Sequence, residues 1–177
     1  MKINSTISVG RIKELGWIRC VAKGNFNNSP SIEAWATSQL TNGLKEIVVD
    51  LEKCTGMDST FMGNLAGLAV KLMEHGSRLQ IVDASNKCID SLNDLGISSL
   101  MELNPKEDAH EWIKAKDCIR KSLVELHVQN DEKKAIHVYE AHKKLSELDE
   151  QNADRFQDVL ACLESSIECE KRADTKK

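Results

Sequence analysis

Beyond Pro105 the sequence contains neither glycine nor proline. Turn punctuation stops there, so the remainder is free to be helix. No run approaches the ~20 consecutive apolar residues of a transmembrane helix. The first ten residues lack the charged-then-apolar pattern of a signal peptide. The expectation is a cytoplasmic chain with no membrane insertion. The six cysteines are scattered without a C-x-x-C pair, which fits reduced thiols rather than a disulfide framework. There is no basic excess either: the formal net charge is −4, which argues against nucleic acid and anionic membrane surfaces.

Catalytic signatures are missing as well. Neither G-x-x-x-x-G-K nor G-x-G-x-x-G occurs, so the common phosphate-cradling loops are excluded. No nucleophile–base pair is legible along the chain. Glu107-x-x-His110 has the spacing of half a helical di-iron motif, but a second copy is absent. His137 and His142 are five apart, which does not place both on one helical face. No metal, no cofactor and no enzymatic activity are expected.

What is present divides into two parts. All nine glycines lie between Gly10 and Gly96, within a first part that alternates strand and helix signals. Thr6–Ile12 and Trp17–Ala22 are short apolar-rich runs, with Leu15-Gly16 as the turn of a hairpin. Ser29-Pro30-Ser31 opens a helix, since proline suits a first helical position and Ser or Asn a cap. Its stripe is Ile32, Trp35, Ala36, Leu40 and Leu44. Ile47-Val48-Val49-Asp50-Leu51 reads as a strand buried on both faces. A helix from about Phe61 to Glu74 is closed by His75-Gly76. Leu79–Asp83 is a further buried strand, Asn86–Leu95 a short helix ended by Gly96, and Leu100–Leu103 a last strand. The order β-β-α-β-α-β-α-β implies an α/β fold, with a mixed sheet of about five strands packed by helices. The first domain is set at residues 1–104.

Residues 105–177 are expected as a helical extension, an all-α hairpin or three-helix appendage. Trp112, Ile119, Leu123 and Leu126 form one stripe. Ile136, Tyr139, Leu145 and Leu148 form a second. Phe156, Val159, Leu160, Leu163 and Ile167 form a third. Gln129-Asn130-Asp131 is the polar break after the first. Gln151-Asn152 either separates the last two helices or lies within one. Apolar faces of this kind must be buried against each other, the first domain or a partner, including a second copy in a homodimer.

The first part resembles the STAS domain of anti-sigma-factor antagonists, over roughly Thr6 to Leu103. The sharpest match is the strand Ile47–Leu51 followed by Met57-Asp58-Ser59-Thr60 at a helix start. Gly24-Asn25-Phe26, Gly76-Ser77-Arg78-Leu79 and Asp94-Leu95-Gly96-Ile97 match more weakly. The resemblance implies that Ser59, with Thr60 as the alternative, is phosphorylated by an anti-sigma-factor serine kinase and reset by an opposing phosphatase. It implies a partner surface at Asp58, Ser59, Thr60, Phe61, Asn25 and Asn27. The sequence departs from the family pattern at Phe61, where a glycine is expected.

The site makes physical sense apart from the family. A helix start presents unpaired N–H groups and a partial positive charge, which favour a phosphate. A phosphoryl group beside Asp58 would confront a partner with about −1.5 to −2 extra charges. The plainer reading is that Asp58-Ser59-Thr60 only caps the helix. Asp50 equally reads as a bond to loop backbone, and the Asn25–Asn28 stretch as an ordinary turn. The alternative function is a constitutive, unphosphorylated scaffold subunit of a signalling or lipid-transport complex.

Overall fold

The computed structural model describes residues 5–127 and 134–174. The chain opens with β1 (Thr6–Ile12) and β2 (Leu15–Gly24), paired antiparallel with Ile12 opposite Leu15. The turn is therefore Lys13-Glu14, with Lys13 at φ 55°. Leu15-Gly16, expected as the turn, instead begins the second strand. α1 (Ser29–Thr41) carries proline in its first turn. β3 (Glu46–Met57), α2 (Ser59–Glu74), β4 (Leu79–Val82), α3 (Asn86–Asp94) and β5 (Met101–Leu103) follow in the expected order.

Among the described residues the sheet has six strands, in the order β5-β4-β3-β2-β1-β6. The pairs from β2 to β5 are parallel, and β1 is antiparallel to both of its neighbours. β6 is the two-residue strand Val124–Glu125 beside Val9 and Ser8 of β1. It breaks the helical stripe expected from Trp112 to Leu126. That segment is a 3₁₀ turn (Glu111–Ala115), the short α4 (Lys116–Ser122), and then β6.

Alternation along β3 sends side chains to two cores. Ile47, Val49 and Leu51 face α1, α2 and α3. Val48 faces a smaller cluster with Trp17, Val82, Trp112 and Ile119, where Trp17 and Trp112 meet edge to face at 5.4 Å. Asp50 lies on this second side with no exposed surface. Arg120 donates to it at 2.7 and 3.1 Å, and the Glu52 amide at 3.1 Å. Arg19 stands 3.4 Å away and the Trp17 indole N–H at 3.4 Å. Burial opposes the charge on Arg120, but Asp50 and Asp83 outweigh it and hold the guanidinium firmly protonated. This buried pair fastens α4 to the sheet.

The last two helices are α5 (Lys134–Ser146) and α6 (Glu150–Asp174). The break between them falls at residues 147–149, ahead of Gln151-Asn152. Asp149 caps α6 by accepting from the Asn152 amide at 2.7 Å. The polar break expected at Gln129-Asn130-Asp131 lies outside the described residues. The two helices pack as a hairpin on the helical side of the sheet, where Ala141, Leu145 and Phe156 are buried. No helix among the described residues is long and apolar enough to cross a membrane.

Candidate functional site

Asp58 is the N-cap of α2. One carboxylate oxygen accepts from the Phe61 amide at 2.8 Å, two to three residues into the helix as a cap should. The other accepts from the Phe26 amide at 2.9 Å. One side chain therefore satisfies the helix start and ties down the loop before α1. That loop is organised by its own asparagines: the Asn27 amide donates to Asn25 Oδ1, and the Asn25 amide to Asn28 Oδ1, both at 3.0 Å. Asn25, Asn27, Asp58 and Ser59 are thus brought to one surface. Phe26 adds an exposed ring, 43% accessible, that sequence reasoning had not singled out as a contact.

Phe61 is placed differently. It is 1% exposed and belongs to the main core. A Cβ at Gly24 would come within 2.6 Å of its ring. The missing side chain at Gly24 is therefore what admits Phe61, and the expected partner contact there is a core residue instead. Thr60 is 4% exposed, so its hydroxyl is not presented at the surface either.

Ser59 is half-buried. Its hydroxyl lies 2.8 Å from Nε2 of His142 on α5. The His142 Nδ1 is 2.8 Å from the Val138 carbonyl. A carbonyl only accepts, so Nδ1 carries a proton, and in the neutral ring Nε2 accepts from Ser59. The ring is 6% exposed and packs edge to face on Phe156 at 5.0 Å. A shallow hollow of about 260 Å³ opens beside the serine, lined by Ser59, Met62, Ser91, Asp94, Arg155 and Phe156 among others.

His142 is the site residue that sequence reasoning missed. Its one signal was a titratable side chain on the buried stripe, next to Ala141 and three residues before Leu145. His137 lies on the α1 side, lining a separate groove with Pro30 and Trp35. His110 bonds to Glu102 at 2.9 Å and stacks on Trp112. Among the described residues no group of three or more His, Cys, Asp or Glu side chains is arranged to hold a metal ion. Cys20, Cys54 and Cys88 are free and buried. The Cys54 thiol is pushed up by its hydrogen bond with Cys20, and the Cys88 thiol by its hydrogen bond with Cys54, with burial adding to both.

Residues 6–110 match the STAS domain family model. No curated protein matches the chain. Among solved structures, the anti-sigma factor antagonist SpoIIAA in its unphosphorylated form aligns at TM-score 0.52 and 18% identity, over 65% of this chain and 96% of that one. A putative anti-sigma factor antagonist from Thermotoga maritima aligns at 0.52 and 14%, over 64% and 94%. An anti-sigma factor antagonist from Mycobacterium paratuberculosis aligns at 0.51 and 16%, over 66% and 95%. At such identities the likeness is one of fold.

Proposed function

The chain belongs to the STAS domain family, and we propose that it works as a phosphorylation-controlled protein-interaction switch of the anti-sigma-factor antagonist kind, with Ser59 as the modified residue. The observation that carries this reading is the division of labour at the start of α2. Asp58 serves the cap, through the Phe61 amide, and also holds the neighbouring loop through the Phe26 amide. The Ser59 hydroxyl meets a different element, α5. The plainer explanation, that the hydroxyl is there to cap, is thereby weakened.

The chemistry is ordinary phosphoryl transfer. A partner kinase passes the γ-phosphoryl of ATP to Ser59 Oγ; a P–O ester bond forms, ADP leaves, and the hydroxyl proton goes to a base on the kinase. A phosphatase returns the serine by adding water across the ester. The added charge sits beside Asp58 and at the edge of the Asn25–Asn27 loop, so a partner fitted to the neutral surface meets like charge and loses affinity. The fold need not change. The expected setting is the cytoplasm, where an anti-sigma-factor serine kinase would be the partner.

A second reading, the constitutive scaffold, is favoured by one observation. The Ser59 hydroxyl is engaged by a buried imidazole, a contact that competes with a kinase for it. Tagged wild-type, Ser59→Ala and Ser59→Asp proteins, recovered from the native cells, separate the two. The switch reading expects Ser59→Ala to retain an ATP-dependent serine kinase and Ser59→Asp to lose it. Identical partner sets for all three would favour the scaffold.

A further inference from the structure

Helix α5 touches both sides of the surface assigned to the partner. At its start Lys134 Nζ donates to Asn27 Oδ1 at 3.4 Å. Two turns on, His142 holds the Ser59 hydroxyl. Between these points the helix lies against α2 at a place built for close approach. A Cβ at Gly63 would fall 2.5 Å from the Ala141 carbonyl oxygen and 3.1 Å from the Ala141 Cβ. Glycine on one helix and alanine on the other let the two backbones meet. Gly67, one turn later, leaves room for the Lys144 stem.

The rest of the anchorage is modest and polar. Lys144 Nζ reaches Glu33 Oε1 on α1 at 3.1 Å. Asn152, 1% exposed, donates to the Leu95 carbonyl at 2.9 Å. Arg155 donates to the Asp94 carbonyl at 3.3 Å. Among the described residues of the hairpin, Ala141, Leu145 and Phe156 supply the fully buried apolar contact. From Ala161 to Cys169, α6 shows no buried residue.

From this we infer that the α5–α6 hairpin is a built-in occupant of the switch surface, which excludes a kinase from Ser59 while docked and must leave before the serine is modified. The role given to the kinase rests on the reading of Ser59 above; the gating itself does not. A kinase must reach Ser59 Oγ and take up its proton, and in the docked state that proton is donated to His142 Nε2. The coupling is reciprocal by necessity: whatever binds the uncovered face also favours the released hairpin. After modification the ester has no proton to give Nε2, so the contact that held the serine cannot re-form.

Gating can be read without any kinase. Ser59→Cys places a thiol at the gated atom of the full-length chain. Its rate of reaction with a maleimide is followed by site-resolved mass spectrometry, alone and combined with Gly63→Ala. The added methyl collides with α5 backbone while favouring α2 as a helix. Leu145→Ala, which loosens the hairpin from the opposite side of the contact, is the second variant. The buried Cys20 and Cys88 report global opening in the same sample. The expected result is that the introduced thiol labels roughly tenfold faster or more in both combined variants, as for a site exposed by local release, with Cys20 still protected. Equal rates at the introduced thiol with and without the loosening changes would overturn the inference, as would labelling of that thiol and Cys20 in step. Failure here leaves phosphorylation of Ser59 standing; conversely, gated labelling with a serine never phosphorylated in cells removes the switch and keeps the gate.

Discussion

Ser59 and His142, 83 residues apart in sequence, share a hydrogen bond of 2.8 Å that joins the start of α2 to the C-terminal hairpin. Ser59→Ala removes one partner and leaves Nε2 unsatisfied, at a cost of about 1 kcal/mol. His142→Ala also empties a buried ring site against Phe156, and the expected loss is about 2–4 kcal/mol. Urea denaturation measures both. Amide exchange places the loss: protection should fall in α5 and α6 and hold in β3.

Asp58 serves two backbone amides, so its removal should cost more than the hydroxyl beside it. Asp58→Ala is expected to destabilise by about 1–2 kcal/mol, the upper range for a helix cap. Asp58→Asn keeps one acceptor oxygen and should lose less. The urea midpoints order the variants; Asp58→Ala as stable as wild type would contradict the capping geometry.

Arg120 and Asp50 lie on the face of the sheet away from Ser59. Arg120→Ala strands a fully buried carboxylate, with Arg19 left as a neighbour at 3.4 Å. The expected loss is about 3–5 kcal/mol. Maleimide labelling of the Ser59→Cys thiol relative to Cys20 should be unchanged, because this latch holds α4 rather than the hairpin.

Glu33 and Asp83 give the stability a sign with pH. Burial alone would raise the Glu33 carboxyl, but Lys144, and then Lys71, hold it below its ordinary value. Asp83 is lowered in the same way against burial, by Lys116 and Arg120. A carboxyl lowered by folding binds fewer protons in the native state. Its contribution is fully present above the unfolded carboxylate range, about 4, and is lost as pH falls through the folded value. The urea midpoint should therefore decline below about pH 5. Lys144→Met should make that decline shallower, and an unchanged slope would contradict the Glu33–Lys144 pairing.

The elements that carry their own local signals could be read directly. The run Ile47–Leu51 is β-branched and buried on both faces, and Asp58 and His75-Gly76 mark the two ends of α2. The unread parts depend on pairing at a distance. Val124–Glu125 is a strand only because β1 offers an edge to it; two residues have no periodicity of their own. That edge also turned the expected stripe from Trp112 to Leu126 into three short pieces. Phe61 looked like a surface departure until Gly24, 37 positions earlier in the numbering, proved to be the space it fills. His142 was weighed as half of a metal pair with His137, because spacing along a helix was all the sequence supplied. That its partner would be Ser59 followed from the docking of α5 on Gly63, which depends on a contact between two surfaces and not on either alone.

The most direct test of the switch is the phosphorylation state of Ser59 in the protein purified from its own cells under several growth conditions, read by intact mass and peptide mapping. The account predicts a partial population one phosphoryl group heavier, mapping to Ser59 and absent from Ser59→Ala. A protein that stays unmodified at Ser59 under every condition would contradict it.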